Sequence, residues 1–156
     1  MFTTQKKIDH KFLIDDLNDL VQLHYDLVAS YESALGDASF AAMTPQINQF
    51  IVAHRAQIGA LVDVIKLNRG QPKSTGDMAE ITIKLRLAAG KLFSESGIYA
   101  AMKANEEKLM LEYERAVNSL VALPGMEAVL TGNYEAARYR IMILDSLLKC
   151  AKAMDD

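Results

Sequence analysis

Three stretches of the chain place apolar residues at alternating steps of three and four positions, a spacing that strongly favours amphipathic helices facing a common core. Each stretch contains one polar residue at a position that should be apolar: His24, His54 and Glu106. The three series are Leu13, Leu17, Leu20, His24, Leu27, Tyr31 and Ala34; Ile47, Ile51, His54, Ile58, Leu61 and Ile65; and Tyr99, Met102, Glu106, Leu109, Tyr113, Ala116 and Leu120. Burial of an unpaired imidazole or carboxylate is costly, so we expect these three side chains to meet one another or a ligand.

Glycine and proline divide the first half of the chain into two predicted helices. The first spans about 11–35 and is expected to end at Gly36 in the left-handed conformation. The second begins with Thr44 as its capping residue, followed by proline, and continues to Asn68 or Arg69. Because the connection between them is short, the two helices are predicted to form a hairpin.

A crossover separates this hairpin from the rest of the chain. Residues 70–76 have the composition of a loop, and the segment 78–93 that follows fits either period: its alternating apolar residues suit a strand, and a second set suits a helix with Asp77 as its cap. A lone strand would leave its backbone groups unpaired, so we predict a helical segment within the crossover.

Two further helices are predicted in the second half. Gly97 marks a break or bend before the third helix, which spans 98–121, and Pro124 follows its end. The fourth continues to about Ala153, and Gly132 is expected to break its first turns from the rest. Its predicted inward face consists of Leu130, Tyr134, Ile141, Leu144 and Leu148.

Composition limits the class of protein. The 156 residues suit one domain with a single core, of which we expect 1–10 to be a flexible extension. No apolar run is long enough to span a bilayer, and the polar N-terminus is unlike a secretory signal, so a cytoplasmic protein with no membrane partner is expected. A net charge of −3 without a basic block argues against nucleic-acid binding. The generous apolar content, 51%, and the additional segment 78–93 predict a homo-oligomer, most simply a dimer.

Four long helices joined as two hairpins predict an all-α four-helix bundle. The chain also resembles the ferritin-like superfamily, and within it small bacterial bundle proteins of unknown function that are associated with stress responses. The stretches that carry this resemblance are 18–35, with Asp26 and Tyr31-Glu32; His54-Arg55-Ala56-Gln57 leading to Gly70-Gln71-Pro72; Asn105-Glu106 to Tyr113-Glu114; and the final helix. The resemblance covers nearly the whole domain, and it implies a ferritin-like bundle with a longer crossover.

The same resemblance implies where metal ligands would lie. In di-iron members, a Glu from each of two helices and a Glu-x-x-His from each of the other two hold the metals. The matching positions in this chain are His24, His54, Gln57, Glu106 and, in two alternative registers of the fourth helix, Tyr134 with Ala137 or Glu135 with Arg138. Too few carboxylates remain for two iron ions, so we predict that the dinuclear centre is lost.

Two functions remain open from the sequence. The first is a non-catalytic bundle with no cofactor, acting as an assembly or interaction module, in which Glu106 pairs with a protonated His24 or His54 or with Arg138. The number of carboxylates at the inward positions favours this function over an enzyme.

The second function is a metal-binding protein or a metal-dependent oxidase. A single divalent metal such as zinc or iron would be held by His24, His54 and Glu106, a ligand set suited to either ion. The neighbours of such a site would be Gln57, Tyr31, Tyr113 and Glu135.

Overall fold

The computed structural model describes residues 2–36, 38–74, 94–118 and 123–155, and all regular structure in this part of the chain is helical. The α-helices are α1 (Phe2–Leu35), α2 (Thr44–Leu67), α3 (Glu95–Val117) and α4 (Met126–Asp155), with a short 3-10 helix (Ala38–Met43) between α1 and α2. The predicted all-α chain of four long helices is confirmed for these residues. The predicted crossover segment 78–93 lies outside them. No helix in the described ranges is both long enough and apolar enough to cross a membrane.

The helices pack as two hairpins whose directions are set by side-chain contacts. α1 packs mainly against α2 and α3 mainly against α4, and the hairpins meet along α1–α3 and α2–α4. α1 and α3 are antiparallel, because His24 contacts Tyr113 whereas Tyr31, further along α1, contacts the earlier residue Glu106. α1 and α2 are also antiparallel, so α2 and α3 run in the same direction and their connection joins opposite ends of the bundle.

Asn68 links three helices at one end of the bundle. Its side-chain amide donates to the carbonyl of Val64 at 2.8 Å, which caps α2, and to the carbonyl of Pro124 at 2.9 Å, just before α4. Its own carbonyl lies 2.9 Å from Nε2 of His10 on α1. The end of α2 and the start of α4 therefore lie side by side, and these two helices are antiparallel.

α2 ends in a Schellman motif in which an arginine takes the left-handed position. The N–H of Gly70 donates to the carbonyl of Ile65 at 2.8 Å, the N–H of Arg69 donates to that of Lys66 at 3.0 Å, and Arg69 has φ 59°. Gly70 is needed for a different reason: a Cβ there would lie 2.8 Å from two side-chain carbons of Ile14 on α1. The glycine allows the chain to leave α2 in close contact with α1.

Three predicted boundaries of the first half are wrong. α1 begins at Phe2, well before residue 11, because apolar periodicity marks only the packed part of a helix and a formed helix extends by one hydrogen bond per residue. Gly36 is not left-handed; its N–H donates to the carbonyl of Ser33 as the chain turns towards the 3-10 helix. The residue preceding α2 is Met43, and Thr44 is already helical.

The predicted breaks in the second half are also wrong. Gly97 lies in the first turn of α3, where its N–H donates to Oγ of the capping residue Ser94 at 3.1 Å. α3 therefore starts earlier than predicted, and it ends at Val117 with Asn118 as the C-cap. Gly132 is accommodated within the continuous α4.

The core follows the predicted series in α1, α2 and α3. Every member of the first two series is buried, and so is the third from Tyr99 to Tyr113, whereas Ala116 is half-buried. In α4 the predicted Leu130 and Leu144 are buried, and the other inward positions are Met126, Asn133, Ala137, Arg140 and Ala151. The predicted α4 residues Tyr134, Ile141 and Leu148 are only half-buried, so that face was assigned in the wrong rotation about the helix axis.

Candidate functional site

The structure brings His24, His54 and Glu106 together in the middle of the bundle. The Nδ1 atoms of the two histidines lie 2.9 Å apart, and Nε2 of His54 lies 2.8 Å from Oε1 of Glu106. All three side chains are completely shielded from solvent. Each occupies the central inward position of its helix, so three helices contribute one side chain each to a single polar layer.

The hydrogen bonds define which nitrogen of each imidazole carries its proton. A carboxylate can only accept, so Nε2–H of His54 donates to Glu106. The Nδ1 atom of a neutral His54 is then an acceptor, and it receives Nδ1–H of His24. This leaves Nε2 of His24 as an acceptor for the hydroxyl of Tyr113, at 2.6 Å. The two imidazoles are thus opposite tautomers in one directed chain of hydrogen bonds.

α4 contributes the start of this chain. Nδ2 of Asn133 donates to the hydroxyl oxygen of Tyr113 at 2.9 Å, which orients the Tyr113 proton towards His24. The chain of hydrogen bonds therefore begins at the donor Asn133, passes through Tyr113, His24 and His54, and ends at the acceptor Glu106. Every member is at most 7% exposed, so these bonds form without competition from bulk water.

Glu106 is the acceptor on which the cluster converges. Besides His54, it accepts from the hydroxyl of Tyr31 at 3.0 Å and from Nε of Arg140 at 2.8 Å, the latter on its second oxygen. Burial opposes ionisation of Glu106, but the hydrogen bond from His54 and the charge and hydrogen bond of Arg140 outweigh it and lower its pKa to about 2. Glu106 is therefore a carboxylate, with the guanidinium of Arg140 as its buried counter-ion.

Burial keeps the imidazoles neutral. Desolvation lowers the pKa of His24 well below its usual value, and the neighbouring His54 and Arg140 lower it further. Desolvation also lowers the pKa of His54, although Glu106 acts in the opposite direction. Burial, assisted by Glu106, raises the pKa of Tyr31, and burial raises that of Tyr113. The predicted pairing of Glu106 with a protonated histidine is thus replaced by a bond from a neutral one.

The assignment of α4 residues to the site was wrong in both registers. Arg138 points outwards and pairs with the exposed Glu135 at 3.3 Å. Tyr134 is half-buried and Ala137 is buried. The polar residues that α4 sends into the site, Asn133 and Arg140, were missed. They lie seven residues apart, in phase with Met126 and Leu130, and this spacing is the signal in the sequence that identifies them.

Two buried polar groups near the layer are not satisfied by the described residues. Gln57 is 7% exposed, and neither its amide nitrogen nor its oxygen has a hydrogen-bond partner there. The same is true of Nη2 of Arg140, although Nε of that guanidinium bonds to Glu106. Gln57 is therefore not part of the hydrogen-bonded chain.

The candidate ligand atoms of His24, His54 and Glu106 do not all point to one shared position, as coordination of a single metal ion requires. His54 lies between its two neighbours, with one nitrogen directed at His24 and the other at Glu106, so the three residues share no common point of coordination. Arg140 places a positive charge at the carboxylate where a cation would bind. Among the described residues, no group of three or more His, Cys, Asp or Glu side chains is arranged to hold a metal.

The cluster is consequently a connected set of donors and acceptors drawn from all four helices. Its chemistry is that of a hydrogen-bonded layer containing one carboxylate, one guanidinium and two neutral imidazoles. Comparison of the chain with protein-family models, with curated proteins and with solved structures finds no match.

Proposed function

We propose that the protein is a non-catalytic helical bundle of the ferritin-like type, in which a hydrogen-bonded layer replaces the metal site. The observation that carries this proposal is the engagement of His24, His54 and Glu106 by other side chains. The imidazole nitrogens of His24 and His54 all have partners, and both oxygens of Glu106 accept hydrogen bonds. The layer acts on the fold by holding the four helices in register.

The helix directions support the ferritin-like part of the proposal. α1 and α4 run one way and α2 and α3 the other, which requires one long connection between the hairpins; ferritin-like bundles also use a single long crossover. The association with stress responses rests on the sequence resemblance alone.

Charge supports the absence of catalysis. A divalent metal held by two imidazoles and one carboxylate would retain a net positive charge, and the buried Arg140 would add another within the same layer. Expelling the guanidinium would require breaking its 2.8 Å bond to Glu106. Solvent does not reach the layer, since its members are at most 7% exposed, so a substrate would have no contact with these groups.

Metal titration of the purified chain tests the proposal. Zinc and, without oxygen, ferrous iron are added to wild type and to Glu106→Gln, and binding is measured by calorimetry and by metal analysis after desalting. We expect no stoichiometric metal at neutral pH in either protein. We also expect ferrous iron to oxidise in air at the same rate with and without the protein.

One metal per chain that is lost in Glu106→Gln but retained in Glu107→Gln would overturn the proposal in favour of a metal-binding protein. The Glu107 variant is the matched control, because that neighbouring carboxylate is exposed. Accelerated oxidation of iron by wild type would point to a metal-dependent oxidase.

A further inference from the structure

A groove of about 520 Å³ lies between α1 and α3, away from the buried layer. Its floor includes Leu20 and Met126, which belong to the core, and Leu23, which is half-buried. Phe12 lies at its edge and is 64% exposed. An apolar floor beside an exposed aromatic ring is a typical composition for a protein contact surface.

The two walls of the groove carry opposite charge. The α1 wall presents Asp16 and Asp19, and the α3 wall presents Lys108 and Arg115. Glu112 also lines the α3 side and pairs with Arg115 at 2.8 Å, so that wall keeps a net positive charge.

Several of these charges are poorly neutralised within the chain. Asp16 and Lys108 have no ion-pair partner among the described residues, and Asp19 has only the 3.4 Å contact to Lys73. Burial and the neighbouring Asp19 and Asp15 raise the pKa of Asp16. The groove therefore offers unpaired charge of both signs, on separate walls, above an apolar floor.

We propose that this groove, formed by the α1 wall, the α3 wall and Phe12, is the contact surface between two copies of the chain. A two-fold axis running along the groove would set the α1 wall of one copy against the α3 wall of the other. The surface is then complementary to itself. A partner carrying one sign of charge would match one wall and be repelled by the other.

The heights of Asp19 and Arg115 agree with this symmetry. His24 and Tyr113 mark one level on the antiparallel helices α1 and α3. Asp19 and Arg115 both lie on the same side of that level, offset along the axis by only about 4 to 5 Å at the rise of an α-helix. A two-fold axis parallel to the helices preserves height, so Asp19 of one copy faces Arg115 of the other. Phe12 keeps its height too, so its ring lies at the same end of the opposite groove.

Light scattering coupled to size exclusion tests the contact. At about 100 µM, above a dissociation constant in the micromolar range, we expect wild type to have twice the monomer mass of 17.3 kDa. Asp19→Lys and Arg115→Glu should each weaken the dimer at least about tenfold, because like charges then face each other twice across the axis. Phe12→Ser should weaken it as well.

The double variant Asp19→Lys with Arg115→Glu gives the decisive result. It restores opposite charges across the axis, so we expect its dissociation constant to return to within about threefold of wild type. Arg138→Glu, on the outward side of α4, is the matched control and should leave the dimer unchanged. Circular dichroism verifies that each variant is folded.

A monomer at this concentration would overturn the proposal, and so would a dimer that is indifferent to the single charge reversals or is not restored by the double variant. A monomer that binds a small amphipathic molecule in the groove would assign the surface to a ligand instead. These outcomes are independent of whether the buried layer binds metal.

Discussion

Nε2 of His54 lies 2.8 Å from Oε1 of Glu106 in an environment from which solvent is excluded on both sides. The contact joins α2 to α3, the two helices that run in parallel and share no short connection. Removing Glu106 strands Tyr31 and Arg140, which also donate to it, and removing His54 leaves Nδ1–H of His24 without its acceptor. The polar layer is therefore expected to behave as one unit in stability measurements.

Replacing Glu106 with alanine should lower the free energy of unfolding by about 3 to 5 kcal/mol, since it leaves a buried guanidinium without a counter-ion. Urea denaturation followed by circular dichroism measures this. Glu107→Ala is the control: its exposed carboxylate lies 3.6 Å from Lys103, and its loss should cost at most about 0.5 kcal/mol. Equal effects of the two substitutions would contradict the buried ion pair.

The two histidines should be distinguishable by ¹⁵N NMR of their side chains at neutral pH. We expect the proton of His24 on Nδ1 and that of His54 on Nε2, because only this combination satisfies the bonds to Tyr113 and Glu106 together. Tyr113→Phe removes the donor to His24 and should change the His24 signals more than those of His54. Finding the same tautomer at both residues would exclude the directed chain.

Stability should fall as the pH is lowered below about 6.5, the usual pKa of an unfolded imidazole. Both histidines have a lower pKa when folded, so the unfolded chain binds more protons in this range. The slope should reach about 1.4 kcal/mol per pH unit for each imidazole. Below about 4.5 Glu106 adds to the loss, because its folded pKa is about 2. Urea denaturation at a series of pH values tests this, and a protein more stable at pH 5.5 than at pH 7 would mean that the imidazoles are charged when folded.

Two adjacent residues at the end of α2 should respond in opposite ways to substitution. Arg69→Gly should raise the free energy of unfolding by up to about 1 kcal/mol, because glycine adopts positive φ without a steric penalty. Gly70→Ala should lower it by about 1 to 3 kcal/mol, since the new methyl group would collide with Ile14. Thermal and urea denaturation measure both changes. Tolerance of alanine at position 70 would show that α1 can move away from this turn.

The sequence alone determined which faces of α1, α2 and α3 are inward and that His24, His54 and Glu106 are buried. Those features depend on the spacing of apolar residues within one helix, and this spacing is visible in a short stretch of sequence. The same reasoning predicted only Leu130 and Leu144 of the inward face of α4 correctly, because Asn133 and Arg140 interrupt its apolar pattern at inward positions.

Only the tertiary structure decided which groups satisfy the buried residues. The partners in each hydrogen bond lie on different helices, separated by up to 89 residues in the bond between His24 and Tyr113. The relative rotation and height of the helices set these distances, and both result from packing of the whole core. The helix whose inward face the sequence predicted least well, α4, therefore supplies Arg140, the buried counter-ion of Glu106.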